Sequence, residues 1–306
     1  MDFGQDLLWI ISATYILAKI TFFHFRGTEL NKLLEELDML HCELKTAHGH
    51  VAAYEQRLWF FNFESALVIL WHCGLALFSI LFITLPLWTQ QNLPFHAVVP
   101  FELHDPIKHP WGHVCIFLWQ GCSFVYNLAV NLRVLCIELN SFAPELQNNT
   151  QRFQAELKRL IQFHQRLISM IYRTNKVLFL PQIMQMTTGV LQICLSAFVS
   201  LAIQNNPAVY KFIVFLILSL VYVSYWCTLG DLVTAQSLEV AVAAYNIIEW
   251  APCSAEIQRD IAFMILRAQI PLHMQAQPFP PVNFASNMYL LKNCYSILTL
   301  LLKTLD

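Results

Sequence analysis

Six stretches of this chain are long and apolar enough to cross a lipid bilayer, and nothing else in the sequence limits the fold so strongly. They run from Leu7 to Phe25, Ala66 to Trp88, Gly112 to Leu139, Val177 to Ile203, Ala208 to Leu229 and Val282 to Leu302, and a helical span needs about 20 such residues. Lipid offers no partner to an unpaired backbone group, so a span is a helix or a strand of a closed barrel. Barrel strands alternate in polarity and need only about 10 residues. These runs are longer and uniformly apolar. Composition agrees: 57% of residues are hydrophobic and 12% charged, where a soluble domain carries about 25% charged residues. The expected fold is an all-α, polytopic helical membrane protein, with the bilayer as its solvent.

The loops alternate in basic content. Residues 26–62, 133–176 and 231–281 hold thirteen of the Lys and Arg residues, while Lys108 and Lys211 lie in or beside the loops of the other side. The positive-inside rule makes the three long segments cytoplasmic, which puts both termini outside the cell. Met1 to Asp6 carries no Lys or Arg, so it lacks the charged leader of a secretory signal. An outside start without a signal is awkward to insert. One further helix before Leu7 removes the difficulty, so the expectation is six helices present of a seven-helix protein that is N-terminally incomplete here.

The cytoplasmic segments carry helical stripes of apolar residues. In 28–46 these are Leu30, Leu33, Leu34, Leu37 and Leu44; in 151–175 they are Phe153, Leu157, Leu160, Ile161, His164, Ile168 and Ile171. A third stripe, Ile257, Ile261, Met264, Ile265 and Ala268, ends before Pro271. So much apolar surface outside the membrane predicts a cytoplasmic anchor bundle that holds subunits together. On the outer face, residues 89–111 contain Pro94, Pro100, Pro106 and Pro110. Proline fixes φ and interrupts regular structure, so a rigid irregular loop is expected there.

Little in the sequence suggests catalysis. No GxSxG, P-loop, GxGxxG or HExxH motif is present, and glycine is scarce at eight residues. His109 and His113 have metal-ligand spacing on a helix, but His41, His48 and His50 belong to the opposite side of the membrane, so no site combines them. The nine cysteines are scattered without a CxxC pair, which fits small buried hydrophobes better than a zinc site or disulfide framework. A net charge of −2 gives no field for nucleic acid. No enzyme, metal or cofactor is expected.

The last span differs from the others. Ser286, Tyr289, Asn293, Ser296 and Lys303 recur at helical spacing, with Leu300 in the same register. Polar residues inside a membrane face a bundle interior or water. A polar stripe broken by one leucine suits a pore whose apolar constriction closes by dewetting; hydrogen bonding between helices is the plainer alternative.

The C-terminal third resembles the insect odorant receptor family. The likeness is carried by Tyr225-Trp226-Cys227-Thr228-Leu229-Gly230-Asp231, Gln236-Ser237, Ala243-Ala244-Tyr245, Trp250, Arg267-Ala268-Gln269-Ile270-Pro271-Leu272 and the run from Leu290 to Leu301. Leu93-Pro94-Phe95, Pro100-Phe101 and Pro110-Trp111 extend it to the outer loop. The resemblance implies a seven-helix subunit with a cytoplasmic N-terminus, in which 1–230 holds the odorant-pocket region, 231–281 the cytoplasmic anchor helices and 282–306 the pore-lining last helix. It implies a ligand-tuning subunit that binds a small volatile organic molecule and assembles with an odorant coreceptor in a heterotetrameric, odorant-gated cation channel. Its place would be the plasma membrane of an olfactory neuron dendrite, with the C-terminus extracellular.

Carried over residue by residue, the resemblance gives Ser12, Tyr15, Phe78, Phe82, Phe117, Gln120, Phe124 and Phe215 as ligand-pocket candidates. It gives Ser296, Leu300 and Lys303 as pore and gate candidates. Lys303 departs from what a cation pore wants, and a coreceptor without that charge would dilute its effect. The ending Leu302-Lys303-Thr304-Leu305-Asp306 lacks the Thr-Tyr…Gln-Phe pattern of gustatory receptors, which disfavours a homomeric channel of that type. A G-protein-coupled receptor would need Asp-Arg-Tyr and Asn-Pro-x-x-Tyr motifs, which are absent, and a cytoplasmic C-terminus.

Overall fold

The computed structural model describes residues 10–40 apart from 13, 16, 19–20, 23–24, 27, 31 and 38, and residues 110–141, 150–202, 209–247, 253–275 and 280–303, with the side chains of 110–123, 141, 150 and 211 left aside. The expected second span, most of the proline-rich outer loop, Phe78, Phe82, His41, His48, His50 and His109 lie outside the described residues. Among those described, every regular element is helical. Helical residues in 10–40 come first. Then follow α1 (Pro110–Ser141), α2 (Thr150–Val177), α3 (Phe179–Ala202), α4 (Val209–Tyr245), α5 (Ala255–Ala268) and α6 (Phe284–Lys303).

Two of these boundaries change the sequence picture. Only Leu178 separates α2 from α3, and the backbone ladder crosses it: Leu178 N–H donates to Thr174 O at 2.8 Å and Gln182 N–H to Leu178 O at 3.0 Å. Pro181 sits in the first turn of α3, where a missing N–H costs nothing. The amphipathic helix α2 therefore feeds straight into a span. Likewise α4 runs unbroken through Gly230 and Asp231, so the apolar run read as the fifth span and the start of the cytoplasmic segment behind it are one rod of 37 residues.

The core is built where these rods cross. Phe124, Leu128, Leu132, Leu135 and Leu139 form a fully buried face of α1, and Cys227, Val233, Val240 and Ala244 meet them from α4. The stripes outside the apolar runs close on the same core: Leu30, Leu33, Leu37 and Leu40; Phe153, Leu157, Leu160, Leu167 and Ile171; Ile257, Ile261, Met264 and Ala268 are all buried. Much of the apolar surface expected to join subunits is thus covered within the chain. A different set stays open there, namely Tyr172, Leu238, Val242, Tyr245, Phe263, Leu266 and Ile270. Ion pairs hold the rods in register: Arg133 of α1 with Glu239 of α4, and Arg173 of α2 with Glu36 at 2.6 Å.

Two helices, Phe179–Ala202 and Phe212–Tyr245, are long and apolar enough to cross a membrane among the described residues. Their outer faces are apolar and open: Leu180, Leu191, Leu201, Ile213, Ile217 and Val221 are exposed. The core helix of a soluble protein would cover such residues. A row of them facing outward on neighbouring spans needs lipid or another subunit.

Buried on α2, His164 is only 3% exposed. Burial, helped by the Arg267 guanidinium, holds its imidazole down to about 4. Its folded value lies below the unfolded one near 6.5, so the unfolded chain binds the extra proton first. The contribution is complete above pH 6.5, falls as pH drops, and is exhausted near pH 4. Over that window acidification should remove about 3 kcal/mol from the bundle that encloses His164. Thermal melts of the purified protein between pH 7 and pH 4.5 check this: His164→Gln should flatten the dependence.

Candidate ligand and pore sites

Polar side chains from three parts of the chain meet inside the membrane region. Ser12 Oγ accepts from Gln192 Nε2 of α3 at 3.0 Å. The Tyr15 hydroxyl lies 3.5 Å from Gln185 Oε1 of α3 and 3.5 Å from the Tyr222 hydroxyl of α4. An amide or phenol in an apolar span is costly unless paired; here the pairing ties residues 10–15 to α3 and α4. Other hydroxyls of these spans, on Thr188, Ser196 and Ser219, bond the carbonyl one turn back, which satisfies them within their own helix.

Of the pocket candidates, Ser12 and Tyr15 are brought together in this way. Phe215 stands apart, against Val199 and Phe212. Phe124 is fully enclosed in the main core. Phe117 and Gln120 lie on the backbone of α1. Gln185, Gln192 and Tyr222 were missed by sequence reasoning. Their signal was present, because each is a polar residue inside an apolar run, the same test that singled out the last span.

On α6 the two faces are sharply different. Asn287 and Cys294 are buried against α4 and α3, and Asn287 Nδ2 donates to Ser224 Oγ at 3.0 Å. Opposite them, Tyr289, Lys292, Ser296, Leu300 and Lys303 are exposed, Leu300 at 66%. The candidates Ser296, Leu300 and Lys303 therefore share one open face. Ser286, read from periodicity as part of that stripe, is buried instead. It sits beside a narrow cleft between the first turns of α3 and α6, with Gln182, Met186 and Leu290. A half-polar helix drifts around its axis at 3.6 residues per turn, so the first turn of a stripe can face a neighbour while the last faces water.

The approach to α6 is irregular but tightly held. Leu272 N–H donates to Ser237 Oγ at 3.0 Å, Asn175 Nδ2 to His273 O at 2.7 Å, and Val282 N–H to Met274 O at 2.8 Å. Buried backbone outside a helix must find such partners. At Gly230 the chain comes so close that an added Cβ would stand 1.9 Å from Val282 O. The start of the last helix is therefore fixed to the middle of α4 and the end of α2.

Long apolar helices that run on from a packed helical bundle, with a polar cluster among them and one helix presenting an uncovered half-polar face, define a polytopic helical membrane protein. The chain belongs to the 7tm odorant receptor family, whose family description matches residues 1–295. It is 36% identical to Odorant receptor 65a of Drosophila melanogaster over all of this chain and 78% of that protein. It is 31% identical to Odorant receptor 47b of the same species, over 98% of this chain and 77% of that one. Its fold is that of the insect olfactory receptor OR5 from Machilis hrabei, solved in complex with eugenol: TM-score 0.72, 16% identity, 96% of this chain and 80% of that one. These relatives are receptors rather than enzymes.

Proposed function

We propose that the chain is the odorant-binding, ligand-tuning subunit of a heteromeric, odorant-gated, non-selective cation channel. It works beside a coreceptor subunit in the dendritic plasma membrane of olfactory neurons, with its C-terminus extracellular. The observation that carries this is α6: one face is packed on α3 and α4, and the other, with Ser296, Leu300 and Lys303, is uncovered by the rest of the described chain. A span with an open polar stripe and a single leucine among the polar groups suits the wall of a shared pore. Open apolar residues at the cytoplasmic ends of α4 and α5 suit contact with neighbouring subunits. The ligand falls among the outer parts of the spans. There the cluster of Tyr15, Gln185, Gln192 and Tyr222 offers the few polar groups that orient a small organic molecule between apolar walls.

Coexpression with a coreceptor in oocytes tests the assignment. Odorant-evoked cation current is expected with both subunits and not with this chain alone; current from this chain alone would favour the homomeric reading. Leu300→Ser should raise the current that flows without odorant, because a polar constriction no longer dewets. An unchanged resting current would remove Leu300 from the gate.

A further inference from the structure

We infer that Lys292 and Lys303 are the ion-selecting charges of this subunit, two positive tiers on the open face of α6 that pass monovalent cations and discriminate against divalent ones. The inference rests on the pore reading of α6 proposed above. Lys292, Ser296, Leu300 and Lys303 follow one another at steps of four, four and three residues, which keeps them on one side of a helix. All four are exposed, Leu300 at 66%. The helix Phe284–Lys303 contains no Asp or Glu, and neither lysine joins an ion pair among the described residues. The stripe therefore carries two positive charges and no negative one.

Lys292 decides what this face borders. It stands at the midpoint of the apolar run from Val282 to Leu302. A lysine near the end of a span lifts its ammonium to the interface along its own stem. From the midpoint the interface is about 15 Å away, beyond the reach of four methylenes. An ammonium exposed there cannot lie against acyl chains, so water or an anionic group stands beside it. The outward faces of α3 and α4 differ: Leu191, Leu201, Ile213, Ile217 and Val221 are apolar and exposed, as lipid allows.

The two charges act at different depths. Eleven residues of helix separate them by about 16 Å, about two Debye lengths at physiological salt, so each governs its own stretch of the path. Lys303 is one turn from Leu300 and acts at the constriction. Lys292, about 12 Å from Leu300, acts on ions before or after they pass it. An ammonium about 6 Å from an ion in water lowers the occupancy of a monovalent cation about threefold and of a divalent one about tenfold, because the repulsion doubles with the charge of the ion. Valence is thus selected without any coordination geometry.

The test expresses the full chain with a coreceptor in oocytes and reads the odorant-evoked reversal potential with Na+ and then Ca2+ as the external cation. Lys303→Gln should raise the calcium-to-sodium permeability ratio about threefold, Lys292→Gln less, and the double variant most. Lys303→Arg keeps the charge and should keep the ratio. Unchanged ratios in both glutamine variants, with current intact, would overturn the inference. Lys303→Cys separates that failure from failure of the pore reading. A negatively charged methanethiosulfonate that alters the current of Lys303→Cys but not of the parent keeps α6 on the conduction path, and an unchanged ratio then counts against the charges alone. If the reagent changes nothing, α6 is not on the path and both readings fall.

Discussion

Gly230→Ala is expected to destabilise the protein by about 3 kcal/mol or more, a large effect for a single methyl group. The new Cβ would stand 1.9 Å from the carbonyl oxygen of Val282, and neither partner can easily yield. Gly230 is inside a long helix. Val282 is held by its own bond to Met274, while Leu272 and His273 nearby are bonded to Ser237 and Asn175. Relief would require the segment entering α6 to lift away from α4. Less protein should survive detergent extraction as a monodisperse peak, and its melting temperature should fall. Helix propensity alone predicts the opposite sign, because alanine outranks glycine by about 1 kcal/mol in a helix interior. A variant as stable as the parent would show that the close approach does not exist.

Phe124→Ala should have the next largest effect, a loss of about 3–5 kcal/mol. Phe124 has no exposure at all and lies among the leucines of α1 and the core face of α4. Phe215→Ala should cost less, because that ring is only partly buried against Val199 and Phe212. The comparison also bears on ligand binding. If Phe124 serves packing alone, Phe124→Leu should restore most of the stability and leave the order of odorant potencies unchanged. If it walls the pocket, the same variant should reorder those potencies while the melting temperature recovers. Stability and a small odorant panel, measured on the same variants, separate the two roles.

Much of the fold was legible because lipid is so restrictive a solvent. Long apolar runs have one way to satisfy their backbone, so the helices at 112–139, 177–203 and 282–302 emerge within a few residues of their ends in α1, α3 and α6. The apolar stripes outside the spans were legible for the matching reason. Leu30, Leu33 and Leu37, or Ile257, Ile261 and Met264, repeat at the spacing of one helix face, and such a face is buried wherever it finds a partner. Periodicity names the face and says nothing of the partner. It could not tell that these stripes close on their own chain while Val242, Phe263 and Leu266 stay open.

The sites divide along the same line. The last span was identifiable from its polar residues, and Ser296, Leu300 and Lys303 do share an open face. That Ser286 turns inward, that Tyr15 meets Gln185 and Tyr222, and that Cys194 touches Cys294 are matters of helix rotation and crossing. The sequence by itself determined that this chain is a set of membrane helices with helical extensions and one unusual last span, because burial in lipid acts on each segment separately. Only the tertiary structure decided which polar groups meet and which faces remain open. Those outcomes depend on how side chains from distant segments interlock, and no single segment carries that information.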